Sequence, residues 1–155
     1  MNNNTAKNID EILRFFLSKL LPNDIFRNLS VEINHVKNLH EIANVIMDED
    51  DNGVPDLLSY ILNIRNVKKD IIANLAHECV HIKQYALGEL RYDCFVKKTN
   101  ETISLEWSKV WFGECWYEDN DEDSNYDSPW EIEAYGKEVG LVKRWKNYKK
   151  ERENK

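Results

Sequence analysis

The segment from His77 to His81 combines residue types whose spacing suits metal chemistry. The surrounding pattern predicts a helix from Lys69 to Leu87, and residues four apart on a helix lie on one face, one turn apart. His77 and His81 can therefore offer two imidazole nitrogens to a single zinc ion. Glu78 lies beside them, where it can hold and deprotonate a water molecule at that ion. The spacing thus predicts a hydrolytic zinc site with Glu78 as its catalytic base.

The predicted motif helix carries two stripes of side chains at steps of three and four. The wider stripe is apolar and comprises Ile72, Leu75, Cys79, Ile82 and Ala86. The second stripe is polar and comprises His77, His81, Gln84 and Gly88. Because a helix that is apolar over much of its circumference is largely buried, the polar stripe needs partners, and a metal ion would supply one. The alternative is a surface helix with two exposed histidines, and Gln84 could either hydrogen-bond a ligand or hold the helix end.

A catalytic zinc usually has three protein ligands and one place for water. The other two histidines, His35 and His40, lie upstream, and no histidine follows His81. His35 falls on the apolar face of a predicted strand and is expected in the core, whereas His40 is expected at the surface. Downstream, Cys94 and Cys115 lack metal-ligand spacing such as C-x-x-C. The third ligand is therefore expected downstream of His81, as a carboxylate or a cysteine.

The best source of that carboxylate is the predicted C-terminal helix. We predict Glu133 as the third ligand because it shares a helical face with Gly136 and Gly140, glycines that would let another helix approach closely. Glu131 points about 160° away, so the two glutamates cannot both bind one metal from a regular helix. Glu131 and Asp127 remain alternative ligands, and an exposed surface charge is the alternative interpretation of Glu133.

Together the two motifs resemble the gluzincin class of zinc metallopeptidases, and more closely the small metallopeptidases of phages and bacteria. The likeness covers about Tyr60 to Leu141 and rests on His77-Glu78-Cys79-Val80-His81-Ile82-Lys83-Gln84 and Pro129-Trp130-Glu131-Ile132-Glu133-Ala134-Tyr135. In this class the two H-E-x-x-H histidines and a glutamate from a following helix bind zinc, and that glutamate is often followed by alanine, as in Glu133-Ala134. The resemblance implies a minimal zincin-like fold and peptidase activity. Larger gluzincins carry an aspartate four residues after the ligand glutamate, a position that is Lys137 here.

The apolar patterning predicts an α+β fold in a single domain over residues 1–155, with about 1–8 and 149–155 frayed. A small, mostly antiparallel sheet is expected to pack on the motif helix, followed by the ligand-bearing C-terminal helix. Helices are expected at about Ile9–Leu21 and from Ser128-Pro129 to about Tyr148. Strands are expected at Leu29–His35, Leu58–Arg65, Tyr92–Val96 and Thr102–Trp111, while Glu41–Met47 fits either a strand or a short helix.

The composition limits the classes of partner. A net charge of -7 on 155 residues argues against non-specific nucleic-acid binding. The three cysteines are few and odd in number, so no disulfide framework is implied. No stretch has the length of a membrane span or the cleavage site of a signal peptide. We expect a cytoplasmic monomer that acts on a peptide or protein substrate, with no nucleic-acid or membrane partner.

Three further roles follow from this interpretation. The strand Leu58–Arg65 could pair with an extended substrate if it lies at a sheet edge. Tyr126 or Tyr135 could stabilise the oxyanion that forms during hydrolysis. The basic C-terminal tail could fold as a lid across the acidic stretch from Glu114 to Asp127, in which case truncation after about Leu141 would raise activity.

Two functions of other classes compete with the hydrolase. A zincin-like protein without peptidase activity could act as a binding domain, but binding alone does not need a general base such as Glu78. A calcium-modulated interaction domain is the second, because residues 48–53 match the first half of a calcium loop, D-x-[DN]-x-[DN]-G. Ser59 stands where that loop needs a bidentate acid, so a solvated turn is the simpler interpretation of the segment.

Overall fold

The fold combines helices with two small sheets. The computed structural model describes residues 3–49, 54–65, 71–98, 102–116 and 126–154. Its helices are α1 (Asn3–Leu20), α2 (Asn23–Asn28), α3 (Ile71–Ala86) and α4 (Pro129–Glu153). Its strands are β1 (Ser30–Val36), β2 (Ala43–Glu49), β3 (Pro55–Arg65), β4 (Leu90–Lys98), β5 (Ile103–Trp111) and β6 (Glu114–Trp116). The predicted α+β class is confirmed, and within the described ranges no helix has the length and apolar character needed to cross a membrane.

The strand order differs from the expected single, mostly antiparallel sheet. The first sheet has the order β1-β3-β2, with β1 parallel and β2 antiparallel to β3. The second sheet is antiparallel, with the order β4-β5-β6. Because β3 has a neighbour on each side, its backbone groups are paired, and the prediction that Leu58–Arg65 receives a substrate is wrong. The segment that could have been a strand or a helix forms β2, which lies at the edge of its sheet.

The core lies around α3, which contacts α1, α4 and three of the strands. Leu75, Ala76, Cys79, Val80 and Ile82 of α3 are all fully buried, as the predicted apolar stripe requires. On β3, alternate residues point into this core and comprise Tyr60, Leu62 and Ile64. Helix α1 contributes Ile9, Ile12, Leu13, Phe16 and Leu17, which follow helical spacing. The motif helix is therefore held in place on several sides.

Local sequence signals mark the ends of the helices that matter for the site. Gly88 follows α3 with a φ of 67°, a conformation that glycine adopts without steric cost. Its N–H donates to the carbonyl of Tyr85, and the N–H of Glu89 donates to the carbonyl of Gln84. Helix α4 begins at Pro129 directly after Ser128, as predicted. The end of α3 thus lies just after Gln84, and the start of α4 lies just before Glu131.

The C-terminal half of α4 packs on α1. Trp145 is 4% exposed, and its ring centroid lies 5.3 Å from that of Phe15. The Arg152 guanidinium donates to the Glu11 carboxylate at 2.6 Å. A helix of 25 residues spans roughly 37 Å, which separates the basic end of α4 from Asp127, directly before its first turn. Residues 117–125 of the acidic stretch lie outside the described residues, so the lid hypothesis stays a prediction.

Replacing Trp145 with alanine should destabilise the protein. The substitution removes a buried aromatic side chain from the contact between α1 and α4, so we expect the free energy of unfolding to fall by about 3–5 kcal/mol. Chemical denaturation measures this difference. Lys146→Ala, at an exposed neighbouring position, is the matched control and should change stability by less than about 0.5 kcal/mol. Equal stability of the two variants would show that the end of α4 is not part of the core.

Candidate metal centre

Two histidines of α3 project side by side into a cleft. The Nε2 atoms of His77 and His81 are 3.0 Å apart, and the two ring centroids are separated by 4.7 Å. Their side chains are 13% and 12% exposed, so both rings are largely withdrawn from solvent. The spacing of one helical turn predicted this convergence, and the alternative of two exposed histidines on a surface helix is excluded.

Glu131, at the start of α4, completes the group. Its Oε2 lies 3.1 Å from Nε2 of His77, and its Oε1 lies 3.3 Å from Nε2 of His81. One potential ligand atom from each of the three residues lies within 4.8 Å of the others. Two imidazole nitrogens and one carboxylate oxygen at this separation can hold a metal ion.

Glu133, the predicted third ligand, is placed elsewhere. Its Oε1 accepts a hydrogen bond from Lys83 Nζ at 2.8 Å, and its Oε2 accepts one from Gln84 Nε2 at 2.9 Å. Lys137, one turn further along α4, lies 3.4 Å from the same carboxylate. Both oxygens of Glu133 are thus engaged by Lys83 and Gln84 of α3. This geometry does not support the assignment of Glu133 as a ligand, and Glu131 is the carboxylate that lies beside the two histidines.

The rotation of α4 about its axis explains why Glu131, and not Glu133, lies beside the histidines. Ala134 is fully buried where α4 meets α3. At about 100° per residue, Glu131 lies roughly 60° to one side of Ala134 and Glu133 roughly 100° to the other. The predicted close approach at Gly136 and Gly140 is absent, since a Cβ added at either glycine would meet no described atom within 4 Å.

Each histidine also has a partner at its other ring nitrogen. Nδ1 of His77 lies 3.3 Å from Oε2 of Glu138, and Nδ1 of His81 lies 2.8 Å from Oε1 of Gln84. An acceptor at Nδ1 places the proton there and leaves the Nε2 lone pair directed at the metal position. Sequence reasoning missed Glu138, although it stands seven residues after Glu131 and therefore two turns along the same face of α4.

The catalytic base predicted by the motif is buried at the back of the same cleft. Glu78 is 7% exposed and lines the cleft next to the histidines. Burial raises the pKa of Glu78 to about 8, with a smaller upward contribution from Glu41, while His81 and a hydrogen bond from the Val45 backbone act in the opposite direction. A carboxyl group with this pKa can both take and release a proton near neutral pH.

The pKa of Glu131 is shifted in the opposite direction, below its usual value. Burial alone would raise its pKa, but the close contacts of its carboxylate with the imidazoles of His77 and His81 outweigh that effect and lower the pKa of Glu131 to about 2. Glu131 is therefore anionic at neutral pH. The environments of the two carboxyl groups in the cleft shift their pKa values in opposite directions.

The cleft that contains these groups has a volume of about 750 Å³. Ala43, Asn44 and Val45 of the edge strand β2 form one of its walls. Tyr126 and Tyr135 line it as well, and the Tyr135 ring centroid lies 4.6 Å from that of His77. The group that could hold a metal ion therefore faces this cleft.

The other candidates from the sequence lie outside this group. Asp127 is exposed and is not part of the metal-binding cluster found among the described residues. His35 is exposed, so the prediction that it lies in the core is wrong, while His40 is exposed as expected. Cys79 is buried in the core as expected, and Cys94 and Cys115 are exposed thiols. Residues 50–53 of the possible calcium loop lie outside the described residues.

Comparison of this chain with family models, with curated proteins and with solved structures finds no match. The case for its function therefore depends on the residues themselves. The described residues place His77, His81 and Glu131 where they can hold a metal ion, with the buried carboxyl group of Glu78 beside them in an open cleft.

Proposed function

We propose that this protein is a zinc-dependent metallopeptidase with a minimal zincin-like fold. His77, His81 and Glu131 are the zinc ligands, and Glu78 is the general base. The observation that carries the proposal is the convergence of three ligand atoms within 4.8 Å of one another beside a buried carboxyl group. Two histidines and one glutamate are a ligand set of catalytic zinc sites, in which the fourth position is left to water or substrate.

The surroundings of the ligands support a zinc ion in this place. Glu138 and Gln84 hold the Nδ1 atoms of the two histidines, so that both Nε2 atoms converge toward Glu131. A metal-binding histidine usually donates its second ring N–H to such an acceptor. Counted from Glu131, the gluzincin motif departs from the family pattern, since Ile132 follows the ligand instead of alanine and Tyr135 stands where larger gluzincins carry aspartate. Tyr135 packs on His77, and Glu138 supplies a carboxylate near that histidine.

When bound, a zinc ion supplies a Lewis acid for the peptide carbonyl and makes a neighbouring water more acidic. Glu78 takes a proton from that water as the water oxygen forms a bond with the carbonyl carbon. As the carbon–nitrogen bond breaks, Glu78 passes the proton to the leaving amine. Glu78 lies in the cleft next to His77 and His81, so it can hold the proton between the two steps.

Tyr135 is the better placed of the two tyrosines for stabilising the oxyanion. Its ring packs against His77, whereas Tyr126 stacks on the outer side of Tyr135 with a centroid separation of 6.1 Å. Burial and the neighbouring carboxylates, of which Glu131 acts most strongly, raise the pKa of Tyr135 above its usual value. The phenol therefore keeps its proton and can donate a hydrogen bond to the developing charge.

Strand β2 is the element on which we expect an extended substrate to bind. It pairs with β3 alone among the described strands, and its residues 43–45 border the cleft. The outer edge of a strand offers backbone donors and acceptors to an added peptide strand. A peptide in this position would run past Glu78 and the ligand group.

The test combines metal analysis with peptide hydrolysis. Protein stripped of metal and reconstituted with zinc should contain about one zinc per chain, because a three-ligand set with one place for water is present. It should cleave members of a mixed peptide library, lose that activity with a chelator and regain it with zinc. Absence of zinc after reconstitution would contradict the site. Zinc binding without cleavage of any peptide would favour the alternative of a zincin-like binding domain.

A further inference from the structure

Gln84 makes three hydrogen bonds at the centre of the contact between the ligand-bearing helices. It is fully buried and lies three residues after His81 on α3. Its Oε1 lies 2.8 Å from Nδ1 of His81. Its Nε2 donates to the backbone carbonyl of Trp130 at 2.9 Å and to Oε2 of Glu133 at 2.9 Å. Both amide hydrogens and the amide oxygen are therefore in use.

These partners determine which way the amide faces. The Trp130 carbonyl and the Glu133 carboxylate can only accept, so the amide nitrogen must point toward them and the amide oxygen toward His81. An amide oxygen can only accept in turn, so the proton of His81 must be on Nδ1. The lone pair of Nε2 is then available on the side of the ring that faces His77 and Glu131. Glu133 thus influences the tautomer of His81 without touching it.

The Glu133 carboxylate is itself held by a buried lysine. Lys83 is 8% exposed and forms ion pairs with Glu133 and Glu89. Breaking such a pair would leave an uncompensated charge at a buried position, so the arrangement resists rearrangement. The carboxylate that orients Gln84 is consequently fixed from the side opposite to the metal group.

The bond to Trp130 links Gln84 to the third ligand as well. Trp130 directly precedes Glu131 on α4, and its side chain is 2% exposed. One amide therefore connects the helix that carries the histidines with the turn that carries the glutamate. A change at Gln84 would alter the relative position of the ligands as well as the tautomer of one of them.

We propose that Gln84, oriented by the Lys83–Glu133 pair, is a positioning residue for the metal site: it holds His81 in the tautomer that binds metal through Nε2 and fixes the first turn of α4 relative to α3. This role rests on the proposed zinc site. It explains why Glu133 bonds to Gln84 although it is not a ligand, and why the polar stripe of α3 continues beyond the histidines.

The first experiment is a double-mutant cycle on zinc affinity. Gln84→Met keeps the length of the side chain and removes all three hydrogen bonds, so zinc affinity, measured by competition with a chromogenic chelator, should fall about 10- to 100-fold. Glu133→Met should weaken zinc binding less. If Glu133 acts through Gln84, the double variant should bind zinc no more weakly than Gln84→Met alone, because the two losses are not additive.

Lys137→Met provides the matched control. Lys137 contacts the same Glu133 carboxylate from the solvent side and is 44% exposed. Its loss leaves the Lys83 contact intact, so zinc affinity should stay within about twofold of the parent value. Thermal melting of the metal-free variants identifies any that lose their fold, and Glu133→Met, at a half-exposed position, still tests the network if Gln84→Met does not fold.

The second experiment observes the tautomer directly and needs no zinc. Nitrogen-15 chemical shifts of metal-free parent protein, at a pH that keeps imidazoles neutral, should show His81 protonated at Nδ1. In Gln84→Met the preference should be lost or reversed, a change that a merely structural residue would not cause. A parent His81 protonated at Nε2, or full zinc affinity in Gln84→Met, would overturn the inference. A parent that shows the Nδ1 tautomer but binds no zinc would contradict the proposed function alone.

Discussion

Glu78→Gln should leave the zinc content of the protein unchanged and reduce kcat/KM for peptide hydrolysis by about 10²- to 10⁴-fold, the range that general acid–base groups contribute. The amide has the shape of the carboxyl group but cannot take a proton from water or return it to the leaving amine. Because Glu78 is not among the converging ligand atoms, its replacement does not remove a metal contact. Metal analysis and cleavage rates on the same preparations measure the two effects separately.

Stability of the metal-free protein supplies the control for this variant. Burial raises the pKa of Glu78 to about 8, so the folded protein holds the proton more tightly than the unfolded chain does. The contribution of Glu78 to stability is therefore full at acidic pH and is lost as the pH rises through about 8. Compared with the parent, Glu78→Gln should be more stable at pH 9 by on the order of 2–4 kcal/mol and should show little difference at pH 4.

A folded Glu78→Gln protein with full zinc content and undiminished cleavage would contradict the mechanism. A loss of activity accompanied by a loss of zinc would instead show that Glu78 affects the ligand group. Comparing urea unfolding of both proteins at the two pH values excludes a trivial loss of fold, because the variant is expected to be as stable as the parent at pH 4 and more stable at pH 9.

Replacing Glu131 should weaken zinc binding far more than replacing Glu133. Glu131→Gln removes the anionic member of the ligand group, and we expect zinc affinity to fall by more than about 100-fold. Residues that only hydrogen-bond to a metal ligand usually change the affinity by about 10- to 100-fold. Glu133→Gln keeps an oxygen that can accept from Gln84 and should lower zinc affinity by about 10-fold or less. Chelator competition on the two isosteric variants gives the comparison directly.

The two variants control for each other, because each replaces one glutamate of the same helical turn with its amide. Melting of the metal-free proteins should show that both fold. If Glu133→Gln lost more zinc affinity than Glu131→Gln, the assignment of ligands would have to return to Glu133. Equal and small losses in both would show that neither carboxylate binds the metal.

The sequence by itself determined the features that depend on local periodicity. His77 and His81 stand one turn apart on a helix whose apolar stripe includes Cys79, and α3 has this arrangement. The alternation of β3 and the start of α4 at Pro129 also follow from local patterns. These features could be predicted because each is set by residues within a few positions of one another.

Only the tertiary structure decided which carboxylate meets the histidines. Sequence periodicity shows that Glu131 and Glu133 point in different directions, but it does not show how α4 is rotated against α3. The burial of Ala134 in the core sets that rotation and brings Glu131 to the two histidines. It also brings Glu138 to His77, a contact that no short motif encodes.

Tertiary packing likewise decided which strands pair with β3 and where the C-terminal end of α4 lies. An alternating pattern predicts that residues 55–65 form a strand, but pairing with both β1 and β2 places that strand at the centre of its sheet. The charges of the C-terminal tail suggested attraction to the acidic stretch, yet Trp145 is buried near Phe15 of α1. Burial of a large aromatic side chain outweighs exposed ion pairs, which contribute about 0–1 kcal/mol each, so apolar contacts distant in sequence determined where the tail lies.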